Sequence, residues 1–282
     1  MNSIPDLDQS IDRWFEEDIG EGDHTTLGTI PAGATGSSIL LAKEDGIIAG
    51  IRVAERIFHR LDGDLRLETF LADGAALSRG ITIFRVTGRV RSILQAERLV
   101  LNVMQRMSGI ATTTREYVSL IEGTGAKVMD TRKTTPGFRL LEKEAVRLGG
   151  GMNHRTGLYD MILIKDNHVD FAGGLEQAIR ASIQYLKARD LDLRIEVEAR
   201  SPGEVARVLA IGGIDRILLD NFTLDQTREA VRLVGGRYET ESSGGITRET
   251  IRGYAECGVN YISVGALTHQ INSLDLSLKA EF

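Results

Sequence analysis

Hydrophobic and polar positions alternate in two different ways along the chain, and the change falls near Lys127. Before it, short β-type runs at residues 37–43, 47–50, 65–70 and 82–87 are separated by Gly and Asp turn signals, which predicts a small, largely antiparallel sheet. Val53, Ile57 and Leu61 recur every four residues and predict a short helix over Ile51–Leu61. A longer helical face then carries Ile93, Ala96, Val100, Leu101, Met104 and Met107. Ser92, with Gln95 three residues on, reads as its capping box, and Ser108-Gly109 reads as a break before the pattern resumes toward Gly123.

From Lys127 onward β-type runs alternate with helical patterns. The strands are expected at residues 128–131, 162–165, 194–199, 216–221, 238–242 and 261–265, with helices at Leu175–Arg189, Pro202–Ile211, Leu224–Val234 and residues 248–257 between them. Strand, helix, strand in repetition predicts parallel βα units. The last strands follow at a step of roughly 22 residues, natural for a βα barrel and short for a doubly wound sheet. The domains expected are residues 1–110, including the long helix, a barrel at 111–268, and a segment at 269–282 returning to the first domain.

Composition narrows the class. The chain has 282 residues, 42% of them hydrophobic, and a net charge of -6, which suits a globular protein and advertises no broad basic face for nucleic acid or a membrane surface. Cys257 is the single cysteine, so neither an intramolecular disulfide nor a thiolate metal cluster can form within the chain. The opening residues lack a basic and apolar leader pattern, and no apolar run reaches the roughly 18 residues of a spanning helix. A cytoplasmic location is expected.

In a βα barrel, reactive side chains collect at the C-terminal ends of the strands. Successive strand ends here carry Asp130-Thr131-Arg132-Lys133, then Lys165-Asp166-Asn167-His168, Glu196 and Glu198, Asp220-Asn221, and Glu241-Ser242-Ser243. One charged residue after a strand is usually a solvated loop, but a series of such ends is a site. Gly244-Gly245 and Gly265-Ala266 each read as opening a helix in the late loops where these barrels hold phosphate on backbone N–H groups, with His269 as a further donor. Residues 132–155 hold six Lys/Arg against two Asp/Glu, a segment suited to a carboxylate or phosphate, although Lys143 and Arg147 read as a solvated helix face. Glu198 and Asp220, near the ends of adjacent strands, can face each other and hold Mg²⁺ through oxygen and water ligands. Glu196 shares their face, and spacing does not say which glutamate meets ligand.

Several runs together resemble the quinolinate phosphoribosyltransferase family. They are Asp130-Thr131-Arg132-Lys133-Thr134-Thr135-Pro136-Gly137, Gly149-Gly150-Gly151-Met152-Asn153-His154-Arg155, Ile164-Lys165-Asp166-Asn167-His168, Gln105-Arg106-Met107-Ser108-Gly109, Leu219-Asp220-Asn221-Phe222 and Gly265-Ala266-Leu267-Thr268-His269, with an opening Glu17-Asp18-Ile19-Gly20-Glu21-Gly22-Asp23. The resemblance implies an α/β protein, an incomplete TIM-like βα barrel with an N-terminal α/β open-sandwich domain. It implies a transferase converting quinolinate and phosphoribosyl pyrophosphate (PRPP) to nicotinate mononucleotide, CO₂ and pyrophosphate. Arg132, His154, Arg155 and Lys165 would hold the quinolinate carboxylates, and Arg106 would reach them from the partner subunit of a homodimer, or of a hexamer built from dimers. Lys133, Glu198 and Asp220 would contact PRPP or its Mg²⁺, and Ser243, Gly244, Gly265 and His269 would surround the 5-phosphate. Lys133, Lys165, Glu198 and Asp220 are the candidate catalytic residues.

That chemistry needs no organic cofactor, because the pyridinium nitrogen formed by ribosyl transfer takes up the electrons left when CO₂ departs. Two other readings share the scaffold. One is a relative of the ModD type acting on another ligand, against which the intact Lys165-Asp166-Asn167-His168 run speaks. The other is a Schiff-base aldolase with Lys165 or Lys133 as nucleophile.

Overall fold

The computed structural model describes residues 7–281; residues 1–6, on which the reading of the leader pattern rests, lie outside the described residues. The chain divides into two compact units, the first made of residues 1–115, 135–150 and 270–282, the second of residues 116–134 and 151–269. The boundary thus lies inside the long helix, and residues 135–150, read from sequence as part of the barrel, belong to the first unit.

The first unit opens with α1 (Leu7–Ile19) and α2 (His24–Thr29), followed by β1 (Thr35–Ala42), β2 (Gly46–Ile47), α3 (Ile51–Leu61), β3 (Arg66–Thr69), β4 (Ala76–Leu77), β5 (Thr82–Arg89) and α4 (Val90–Leu120). Its main sheet has the antiparallel order β12-β1-β5-β3 among the described residues, where β12 is the C-terminal strand Leu276–Glu281. Val53, Ala54, Ile57 and Phe58 of α3 are buried, as are Ile93, Ala96, Val100, Met104 and Met107 of α4.

Two details of α4 differ from the sequence reading. The helix already runs from Val90, and the Ser92 hydroxyl donates to Asp62 Oδ2 at 2.7 Å instead of capping. Ser108-Gly109 does not break it either. Ser108 Oγ accepts from the Ala49 N–H at 3.0 Å, and a Cβ on Gly109 would sit 2.1 Å from the Asn272 carbonyl oxygen. The small residues let other backbone dock against the helix.

The second unit carries β6 (Lys127–Met129), β7 (Ile162–Ile164), α6 (Asp166–Ala172), α7 (Leu175–Arg189), β8 (Ile195–Ala199), α8 (Pro202–Ile211), β9 (Arg216–Asp220), α9 (Leu224–Val234), β10 (Glu239–Ser243), α10 (Ile251–Glu256), β11 (Tyr261–Ser263) and α11 (Ala266–His269), while α5 (Arg139–Leu148) belongs to the first. The helix ends follow from local chemistry: Ser201 caps α8 ahead of Pro202, and Thr223 with Gln226 forms a capping box on α9. The six strands are parallel in the order β6-β11-β10-β9-β8-β7, and among the described residues β6 and β7 do not pair with each other. With β6 and β7 at its two edges the sheet is an incomplete barrel, not a closed one, and an isolated bridge joins Met129 of β6 to Met152. Among the described residues no helix is long and apolar enough to cross a membrane.

Candidate active site

The strand faces that would fill a βα barrel with Val, Ile and Leu are polar here. Side chains two apart on a strand share a face. That rule groups Glu196 and Glu198 on β8, Arg216 and Asp220 on β9, and Glu239, Glu241 and Ser243 on β10, with Arg216 in register with both Glu196 and Glu239. Arg216 anchors the floor. Its Nη1 lies 2.9 Å from Glu241 Oε2 and 4.0 Å from Glu196 Oε1, its Nη2 donates to Glu239 Oε2 at 3.2 Å, and its guanidinium stacks 4.1 Å from the centre of the Tyr261 ring.

His154 completes this floor, with Nε2 3.0 Å from Glu196 Oε2 and 3.5 Å from Glu241 Oε2. Both glutamates are fully buried. Burial, and then the like charge of Glu196, pushes the Glu241 carboxyl up to about 7, while burial raises Glu196 against the pull of Arg216. His154, Glu196 and Glu241 bring donor atoms within 4.8 Å of one another, as metal ligands do, but the Arg216 guanidinium already supplies the cation.

Beside the floor lies a cationic pair. Burial, and next the like charge of Arg132, pushes the Arg155 guanidinium below its ordinary value, with Glu196 opposing. Arg132 Nε is buried without a hydrogen-bond partner among the described residues. A buried, unsatisfied donor on one of two mutually repelling guanidinium groups is what an anion would satisfy. The loop bearing Arg155 is held by Asp160, which accepts the N–H groups of Thr156 and Gly157 at 2.7 and 2.9 Å. Buried Asp130 accepts the His154 N–H at 2.8 Å.

Along the strand ends, Lys165 Nζ lies 3.4 Å from Glu198 Oε2. Burial raises the Glu198 carboxyl, Lys165 pulls it down and the charge of Asp220 pushes it up again, so the two carboxylates feel each other. Asn221 follows with φ of 55°, a left-handed conformation unusual outside glycine, and its Nδ2 donates to Asp220 Oδ2 at 2.8 Å. Gly244 has φ of 101°, and a Cβ there would lie 2.2 Å from Asn221 Oδ1. A Cβ on Gly265 would lie 3.0 Å from His269 Nε2 and 3.1 Å from Lys133 Cδ, so these two cationic or donor side chains meet over bare backbone. Gly244-Gly245 does not open a helix, however, because α10 starts only at Ile251.

The structure therefore brings Arg132, Lys133, His154, Arg155, Lys165, Glu198, Asp220, Ser243, Gly244, Gly265 and His269 into the second unit, along one end of its sheet. Arg106 is in the first unit, where its Nε donates to buried Glu142 at 2.8 Å and its Nη2 to Thr135 Oγ1 at 2.8 Å; it lines a hollow of about 390 Å³ together with Trp14, Glu17, Asp18 and Phe138. The cationic segment 132–155 is likewise divided, since residues 135–150 stay with the first unit. Arg147 has the expected solvated position, but Lys143 is buried. Arg216 and Glu239 escaped the sequence reading, although each shares its strand face with a residue that was singled out, Asp220 and Glu241.

Comparison with known proteins agrees with this architecture. The family profile described as quinolinate phosphoribosyl transferase, N-terminal domain, matches residues 23–108, and that of the C-terminal domain matches residues 110–279. Quinolinate phosphoribosyltransferase [decarboxylating] 1 of Nicotiana glauca is 44% identical over 98% of this chain and 83% of its own length. The probable nicotinate-nucleotide pyrophosphorylase [carboxylating] of Bacillus subtilis (strain 168) is 42% identical over 99% and 94%. The solved structure of the nicotinate-nucleotide pyrophosphorylase from Francisella tularensis superimposes with a TM-score of 0.93 at 36% identity, covering 99% of this chain and 98% of that one. With both domain profiles matched in order and full-length relatives well above 30% identity, the chain belongs to the quinolinate phosphoribosyltransferase family.

Proposed function

We infer that this chain transfers the phosphoribosyl group of PRPP to quinolinate with loss of CO₂, giving nicotinate mononucleotide and pyrophosphate. The observation that carries the reading is the Arg132–Arg155 pair with its unsatisfied buried donor, beside a carboxylate-lined strand rim. A pyridine dicarboxylate brings two negative charges that must be matched on leaving water, and guanidinium forks match them. Arg132, Arg155 and Lys165 would hold them.

In the first step the quinolinate ring nitrogen attacks the anomeric carbon and pyrophosphate leaves with the bonding pair. Positive charge builds on the ribose, and Glu198 and Asp220 stabilise it from one side. In the second step the carboxyl group next to the ring nitrogen leaves as CO₂, its bonding pair stays on the ring carbon beside the pyridinium, and a proton ends on that carbon. Lys165, held at the rim by Glu198, is the donor assigned to this step. Lys133 and His269, side by side over Gly265, with Gly244 and Ser243 beside Asn221, form the phosphate end.

The two mutually repelling carboxylates of Glu198 and Asp220 also fit a hard divalent ion, and Mg²⁺ held there would offset the charge of the pyrophosphate. A homodimer located in the cytoplasm belongs to the same proposal, consistent with Cys257 as a lone, buried thiol. The aldolase reading fares worse, because a Schiff-base lysine is desolvated, whereas Lys165 is 46% exposed and ion-paired with Glu198.

Purified protein incubated with quinolinate, PRPP and Mg²⁺ should release CO₂ and nicotinate mononucleotide in equal amounts. Turnover of another pyridine in place of quinolinate, or lysine trapping by borohydride, would sink the reading.

A further inference from the structure

Asp220 and Asn221 are neighbours in the chain, yet their side chains meet. Successive side chains on an extended strand point to opposite faces, so an amide placed straight after β9 could not reach the Asp220 carboxylate if the strand simply ran on. The left-handed turn at Asn221, with φ of 55°, folds it back, and Nδ2 donates to Asp220 Oδ2 at 2.8 Å. The turn is held from several sides. The Asn221 N–H donates to the Ser243 carbonyl at 2.9 Å, the Phe222 carbonyl accepts from the Tyr254 hydroxyl at 2.9 Å, and the Phe222 side chain is buried. Gly244 makes the room, because a Cβ there would lie 2.2 Å from Asn221 Oδ1 and 2.6 Å from its Cγ. A residue other than glycine keeps so uncommon a backbone where its surroundings impose it, and such residues collect at functional sites.

We propose that Asn221 is a positioning residue, whose side-chain amide fixes the rotation of the Asp220 carboxylate at the rim of the site. Asp220 needs fixing because Glu198 is close enough for the charge of Asp220 to raise its carboxyl, and two repelling carboxylates swing apart unless something holds them. Lys165 Nζ, 3.4 Å away, steadies Glu198, and Asn221 does the same for Asp220. Carboxylates set in place before the ligand arrives have less ordering left to lose when it binds. An asparagine that supplied a left-handed turn and nothing more would be matched by glycine, which adopts that φ without strain. The inference rests on the transferase reading in naming PRPP as the ligand of Asp220.

Asn221→Gly separates the two roles, because it keeps the turn and removes the amide. The variant should melt close to the wild type, yet its Kd for PRPP, by isothermal titration with Mg²⁺ and without quinolinate, should rise about three- to tenfold, the effect of a hydrogen bond to charge discounted for its exposure. KM for quinolinate should stay within about twofold. Introduced into Asp220→Ala, the same substitution should lower PRPP affinity no further, since the amide acts through the carboxylate. Unchanged PRPP affinity in Asn221→Gly would leave Asn221 a turn residue, and a further loss in the Asp220→Ala background would make it a direct ligand; either overturns the proposal. The tether is also read without any ligand. In ¹⁵N-labelled protein, the side-chain amide signal that disappears in Asn221→Gly should lie downfield in the wild type and move upfield in Asp220→Ala. An unmoved signal overturns the proposal too. A wild type that binds no PRPP, or does not turn over quinolinate, removes the transferase reading alone, because the amide signal still decides whether Asn221 holds Asp220.

Discussion

Burial and the charge of Arg132 make the Arg155 guanidinium costly, and Arg132 Nε is buried without a hydrogen-bond partner among the described residues, so replacing either relieves the free protein and harms the complex. Charge-assisted hydrogen bonds contribute about 1.5–3 kcal/mol, so Arg132→Ala and Arg155→Ala should each raise KM for quinolinate roughly 10- to 100-fold. PRPP affinity should be nearly unchanged. Asp220→Ala should show the opposite split, and equal PRPP affinity in wild type and variant, by isothermal titration with Mg²⁺ present, would refute the role given to that carboxylate. At this scale the rim was legible from sequence because its residues follow apolar strands. The floor was not. Arg216 starts a strand among apolar residues, and only pairing across β8, β9 and β10 shows that it meets glutamates from both sides.

Whole elements were read best where caps and periodicity agreed. Helices α7, α8 and α9 carry buried positions on one face, and α8 and α9 have capping side chains as well. Ser92 and Ser108-Gly109 misled because a small or hydroxylated residue can end a helix or admit a distant partner, and the partners, Asp62, Ala49 and Asn272, are far away in sequence. Gly109→Ala weighs these effects against each other. Alanine favours a helix by about 1 kcal/mol, yet a Cβ 2.1 Å from a backbone oxygen forces the chain around Asn272 to move. Overpacking wins, and the variant should lose about 1–3 kcal/mol in denaturant unfolding.

Asp62 joins the end of α3, the Arg89 side chain at the end of β5 and the start of α4. Hydrogen bonds from Arg89, then Ser92, hold its carboxyl far below the usual range in spite of burial. A depressed folded-state pKa stabilises above the unfolded value of about 3.9 and is lost as pH falls through that value toward the folded one. Asp62→Asn should therefore melt below the wild type at neutral pH, with the gap narrowing as pH drops under about 4. A gap independent of pH would mean that packing, not charge, makes the difference.

For the whole molecule, Arg106 belongs to a different unit from the other candidate ligands, and the family resemblance implies that it would serve a partner's site. In this chain Arg106 is held by buried Glu142 and Thr135, at a hollow that also takes in Glu17 and Asp18 of the opening segment. If a homodimer shares its sites in this way, Arg106→Ala and Lys165→Ala subunits are each inactive alone but complement each other. In a mixed dimer one site collects both lesions and the other collects none. Random reassociation makes about half of the dimers hybrid, each with one intact site of two, so activity should return to about a quarter of the wild-type level. Mixing after mild dissociation, with dimer formation followed by light scattering, gives the readout. Full hybrid formation without any recovered turnover would place Arg106 outside the partner's site, and its pairing with Glu142 would then be its whole role.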